Sequence, residues 1–114
     1  MRDALRRLGG AVCATLLVVG VAAAASAEDT YTVSIVNHAF VPSEVKVKAG
    51  TKLTLTVKNE DKTAEEFESH DLNREKLIRG GGTATIKLPA LKPGRYEFFG
   101  EFHPDTARGW IVAE

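Results

Sequence analysis

Apolar and polar residues alternate with a period of two along most of the chain beyond residue 30. Tyr31, Val33 and Ile35 fall on one side and Thr32 and Ser34 on the other, as in a strand with one face buried. Val45 and Val47 alternate with Lys46 and Lys48. A turn at Ala49-Gly50 then leads into Leu53, Leu55 and Val57, set against Lys52, Thr54, Thr56 and Lys58. After the polar stretch from Asn59 to Thr63, Phe67 stands among Glu65, Glu66 and Glu68. This reads as a short strand entering a mixed-charge loop through Arg74-Glu75-Lys76. Gly80-Gly81-Gly82 breaks the chain, Ala84, Ile86 and Leu88 resume the alternation, and Lys92-Pro93-Gly94 turns it. Tyr96, Phe98 and Gly100 alternate with Glu97, Phe99 and Glu101. A turn at His103-Pro104-Asp105 precedes the closing run Gly109-Trp110-Ile111-Val112. No long helical period occurs. About seven or eight short strands, spaced by about 8 to 12 residues with Gly and Pro turns, predict an all-β, antiparallel Greek-key β-sandwich.

The first residues follow a different pattern. Arg2, Arg6 and Arg7 precede an apolar run from Ala11 to Ala25, and Ala25-Ser26-Ala27 is a small-x-small cleavage signal, so residues 1–27 read as a secretory signal peptide. The run is shorter than the roughly 20 residues a membrane span needs, and no stop-transfer segment follows, so no membrane anchor is expected. Cleavage after Ala27 leaves one domain, residues 28–114. The single cysteine, Cys13, and the single methionine, Met1, depart with the leader. The mature domain therefore has no sulfur, hence no disulfide and no thiolate. Cys13 lies near the start of the apolar run, the wrong end for lipid attachment. The whole chain balances 15 basic against 15 acidic residues. Loss of three arginines and Asp3 with the leader tips the remainder slightly acidic, which gives no footing for nucleic acid.

Two segments place metal-capable groups next to strand ends: Glu65-Glu66-Phe67-Glu68-Ser69-His70-Asp71 and Glu101-Phe102-His103-Pro104-Asp105. In the second, an imidazole follows a strongly apolar strand. Carboxylates with one imidazole suit Fe(II), Fe(III), Mn(II) or Cu(II) rather than Cu(I). The candidate ligands are Glu66 with Glu65 or Glu68, His103, and Glu101 or Asp105 beside it. His38, in the loop Asn37-His38-Ala39, and His70, beside Asp71, form a second tier. Alternation puts Glu66 and Glu68 on one face and Glu65 with Phe67 on the other, and leaves open which carboxylates converge. Each feature has a plainer reading. The glutamates can be charges that protect an edge strand, His103 a turn residue, His38 an exposed loop residue, and His70 half of a surface His-Asp pair. Phe98, Phe99, Phe102 and Trp110 read as core and rim packing. Hydrolytic chemistry has no support, because Ser34, Ser43 and Ser69 lack a nucleophile-elbow setting.

The run Tyr96-Glu97-Phe98-Phe99-Gly100-Glu101-Phe102-His103, ending at Gly109, resembles the closing strand and loop of the cupredoxins. Gly100 stands in the cysteine place and Ala107 in the methionine place. The place of the family's first histidine is acidic here, Glu65 or Glu66 before Phe67. A blue-copper site needs a thiolate, so the resemblance implies the cupredoxin fold without that site. Glu-Glu-Phe-Glu-Ser, Asp-Leu-x-Arg-Glu-Lys and Phe-His-Pro-Asp-Thr-Ala resemble a subgroup of cupredoxin-like domains associated with bacterial periplasmic iron-uptake systems. That resemblance spans Tyr31 to Val112. It implies a periplasmic metal-binding protein whose cofactor is a copper or iron ion. Its expected partners are an inner-membrane iron permease and a periplasmic iron-binding protein, served by delivery or by assisting Fe(II) oxidation. The alternatives are a copper chaperone or buffer with a type-2-like site, and a metal-free interaction module.

Overall fold

The computed structural model describes residues 28–114; the leader read at 1–27 lies outside the described residues. The strands are β1 (Asp29–Val36), β2 (Ala39–Val41), β3 (Glu44–Val47), β4 (Leu53–Asn59), β5 (Glu65–Ser69), β6 (Arg74–Ile78), β7 (Thr83–Leu88), β8 (Gly94–Gly100) and β9 (Arg108–Ala113). They form a four-stranded sheet ordered β2-β1-β4-β7 and a five-stranded sheet ordered β3-β9-β8-β5-β6. The alternation in sequence becomes the inside and outside of these sheets. Leu53, Leu55 and Val57 of β4 pair with Leu88, Ile86 and Ala84 of β7, and all six side chains are buried. Phe40, Phe67 and Phe98 meet at the centre, Phe67 stacked on Phe98 at 5.2 Å and Phe40 edge-on to Phe98 at 4.8 Å between centroids.

The all-β class matches the sequence reading, with two differences in detail. Both sheets are mixed rather than antiparallel: β1 runs parallel to β4, and β3 parallel to β9. The physical reason is a crossover. The chain leaves the first sheet after β2, places β3 in the second, and returns as β4 beside β1 in the same direction. There are also nine strands among the described residues, because β2 is too short to show a period and β6 lies where a mixed-charge loop is expected. Arg74 to Leu77 have mostly exposed side chains, so β6 carries no apolar stripe. It is an edge strand held by its ladder to β5 and by the Arg74 guanidinium, which donates to the carbonyls of Leu72, Asn73 and Lys87. Charged side chains on such an edge discourage pairing with another chain.

One polar residue organises an end of the molecule. Asn59 continues the inward series Leu53, Leu55, Val57 and is 2% exposed. Its amide donates to the carbonyls of Thr63, Ile78 and Arg79, and its Oδ1 accepts from the N–H of Asp61. The glycine loop after β6 closes onto the same segment. The N–H of Gly81 donates to the carbonyl of Asp61 at 2.9 Å, and a Cβ at Gly80 would sit 2.0 Å from the Lys62 carbonyl oxygen. The β4–β5 loop is thus a braced platform facing the β1–β2 turn.

Candidate metal centre

Three connections converge at this end: the β1–β2 turn with His38, the start of β5 with Glu65, and the β8–β9 loop with His103. The side chain of Glu65 points inward with that of Phe67 and is 1% exposed. A buried carboxylate must have its oxygens satisfied. Oε1 accepts from the N–H of Phe102 at 2.9 Å and of Glu66 at 3.0 Å, and Oε2 lies 2.7 Å from His103 Nδ1. His103 is held by its own turn: its N–H donates to the Gly100 carbonyl, and its carbonyl accepts from Thr106 and Ala107. Its ring stacks on that of His38 with centroids 3.6 Å apart and planes 15° apart. One ligand atom from each of His38, Glu65 and His103 falls within a 4.8 Å span.

Gly100 explains why a carboxylate occupies this place. A Cβ built on Gly100 would lie 2.6 Å from Cδ and 2.9 Å from Oε1 of Glu65, and 2.7 Å from Cβ of the buried Ala107. The space that a cysteine side chain would enter from β8 is filled by Glu65 reaching across from β5. The donor set of two imidazoles and one carboxylate fits a borderline divalent ion and does not fit a blue-copper ion, which requires sulfur.

The remaining carboxylates gather elsewhere. Glu66 and Glu68 point outward from β5, Glu75 faces Glu68 across the ladder to β6, and Glu101 follows β8. These four offer oxygens within 4.8 Å of one another. The set expected around Glu66 and His103 thus divides in two, because consecutive residues of a strand face opposite ways. Glu65 reaches His103, whereas Glu66, Glu68 and Glu101 join Glu75 on the outer face. Asp105 is exposed and belongs to neither group, and His70 is exposed with Nε2 3.9 Å from Glu68 Oε1.

Crowding shifts the outer carboxyls. A hydrogen bond shared with Glu75, then lost hydration and the charge of Glu101, push Glu66 up to about 7. A hydrogen bond with Glu101 raises Glu68 in the same direction. Folded carboxyls that keep their protons to higher pH than in the unfolded chain add stability at low pH, and this is lost as pH rises through the folded value. The melting temperature of metal-free protein is therefore expected to fall as pH climbs from about 4.5 to about 7. Glu101→Gln should flatten that slope, and thermal unfolding across the interval checks both. A melting temperature that rises there would contradict the crowding.

Two residues that sequence reasoning passed over support this end of the fold, Asn59 and Asp61. For Asn59 the signal was present: its position in the alternation is an inward one. Asp61 had none, because its partners are 23 and 24 residues away.

Two mixed sheets, with nine strands among the described residues, packed as a sandwich and closed at one end by His38, Glu65 and His103, define a cupredoxin-like domain. The chain belongs to the family of cupredoxin-like domains, whose model matches residues 10–113. It is 51% identical over 80 residues to an uncharacterised protein of Rickettsia prowazekii (strain Madrid E), covering 70% of this chain and spanning 64% of that protein's length. Similar folds include auracyanin A, a "blue" copper protein from Chloroflexus aurantiacus. Its TM-score is 0.64 with 17% identity, over 75% of this chain and 98% of that one. Amicyanin from Paracoccus versutus aligns with a TM-score of 0.60 and 20% identity, over 75% and 82% of the two chains.

Proposed function

We propose that this protein is an exported, periplasmic metal-binding protein that holds a copper or iron ion at His38, Glu65 and His103 and serves bacterial iron uptake. The observation that carries the metal reading is the buried Glu65 carboxylate beside His103, in the volume that a side chain at position 100 would otherwise fill. A ligand set of nitrogen and oxygen favours Cu(II) and iron over Cu(I). Support for iron comes from the resemblance of the Glu65–Ser69 and Phe102–Ala107 segments to domains associated with iron-uptake systems. The hard oxygen donors of Glu66, Glu68, Glu75 and Glu101 on the adjoining face are consistent with it. In this reading the partners are an iron permease and an iron-binding protein, and the ion is delivered or its oxidation assisted. A copper buffer is the second reading, favoured by the two imidazoles.

Calorimetric titration of the mature domain with Cu(II), Fe(II) and Fe(III) tests the centre. Saturable binding of one ion is expected, weakened at least 100-fold, or about 2.7 kcal/mol, in Glu65→Ala and His103→Ala. Bound Cu(II) should give the weak colour and spin-resonance pattern of nitrogen and oxygen ligands. Binding that is absent, or unaltered in those variants, would overturn the reading. Growth of iron-limited cells that lack the protein separates iron from copper service: rescue by the wild type but not by Glu65→Ala supports iron, and normal growth without the protein rejects it.

A further inference from the structure

We infer that Asp61 is a positioning residue for the metal centre, setting the orientation of His38 by capping its turn and facing the Nδ1 side of its ring. The inference rests on the reading of His38 as a ligand and adds what holds that ligand in place. His38 sits in a tight turn. Asn37 (φ 51°) and His38 (φ 58°) are both left-handed and form the two-residue hairpin turn between β1 and β2, a conformation that Asn enters readily and that costs most other residues with a Cβ. The Asp61 carboxylate caps this turn: Oδ1 accepts from the N–H of Asn37 at 2.8 Å and Oδ2 from the N–H of His38 at 2.9 Å. Oδ2 also lies 3.5 Å from His38 Nδ1. The Thr106 hydroxyl also donates to the His38 carbonyl, tying the turn to the loop that carries His103.

Asp61 is itself fixed. Its N–H donates to the buried Asn59 side chain and its carbonyl accepts from Gly81, so the platform described above ends in this carboxylate. Both of its oxygens accept backbone N–H groups of the turn, and it is outside the group formed by His38, Glu65 and His103, so its role is support. A carboxylate beside one nitrogen of a ligating imidazole fixes the tautomer and the ring direction, and directs the other nitrogen to the ion. The ring at the end of this capped turn is the one stacked on His103.

The test uses mature protein carrying Asp61→Asn, which keeps one oxygen acceptor and removes the charge, with Cu(II) as the probe. Cu(II) affinity is expected to fall about 10- to 100-fold, with a changed nitrogen pattern in the spin-resonance spectrum of the bound ion. A wild-type spectrum and affinity in Asp61→Asn would overturn the inference and leave the metal reading intact. Failure of the wild type itself to bind, or full binding by His38→Ala, would remove both. Should Asp61→Asn fail to fold, the same change is made with Asn37→Gly, which relieves one of the two left-handed residues. Weak binding by that folded double variant supports a role on the imidazole, and wild-type binding by it refutes one.

Discussion

Gly100→Ala is expected to lower stability by about 1–3 kcal/mol and to disable the metal centre, because the added methyl has no unoccupied volume to enter. Its carbon would lie 2.6 Å from Cδ of Glu65 and 2.7 Å from Cβ of Ala107. Neither neighbour is free to retreat. Glu65 is pinned by two backbone N–H groups and His103, and Ala107 accepts the N–H of Gly100 on its own carbonyl. Chemical denaturation and Cu(II) titration measure the two losses. A double-mutant cycle apportions the cause: Glu65→Ala removes one of the two crowding neighbours, so the double variant should recover part of the stability relative to the sum of the single changes, with a coupling of at least about 0.5 kcal/mol. Strict additivity would assign the clash to Ala107 and not to Glu65. Gly100→Cys combined with Glu65→Ala should bind Cu(II) with an intense thiolate absorption that the natural donor set cannot produce.

The second large effect lies in the core. Phe98→Ala is expected to destabilise the domain by about 3–5 kcal/mol, a large part of the roughly 5–15 kcal/mol available to a protein of this size. Phe98 is 0% exposed and packs against both Phe40 and Phe67. The backbone is also shaped around it, since a Cβ at Gly109 would approach the Phe98 ring to 2.5 Å and the Ser43 carbonyl oxygen to 3.0 Å. Strands β2, β5, β8 and β9 are thereby fitted to one ring, and truncation leaves a cavity that they cannot close. The melting temperature should drop by more than about 12 °C, and Phe98→Leu should lose markedly less. A loss under about 1 kcal/mol in Phe98→Ala would show that the aromatic cluster is not the keystone of the fold. The same cluster supports the centre, because Phe67 follows Glu65 by two residues on β5 and Phe98 precedes Gly100 by two on β8.

Much of this architecture was legible in the chain. Strict alternation in Leu53–Val57 and Ala84–Leu88 marks strands directly, because one face of each is buried against the other sheet. β6 was not legible: an edge strand with charged side chains derives its order from ladder hydrogen bonds, which leave no hydrophobic trace. Parallel pairing was equally hidden, since alternation records which side chains are buried and not which strand lies alongside.

By itself the sequence excluded a thiolate from residues 28–114 and separated Glu65 from Glu66, since adjacent residues of an extended strand face opposite sides. Only the tertiary structure decided which of them meets the imidazole. The pairing of Phe67 with Gly100 places Glu65 beneath the β8–β9 loop and leaves Glu66 outside, beside Glu101. Likewise, nothing local joins His38, Asp61 and His103. They meet because a crossover between sheets stacks three turns at one end of the sandwich, a consequence of chain topology that no short window of residues encodes.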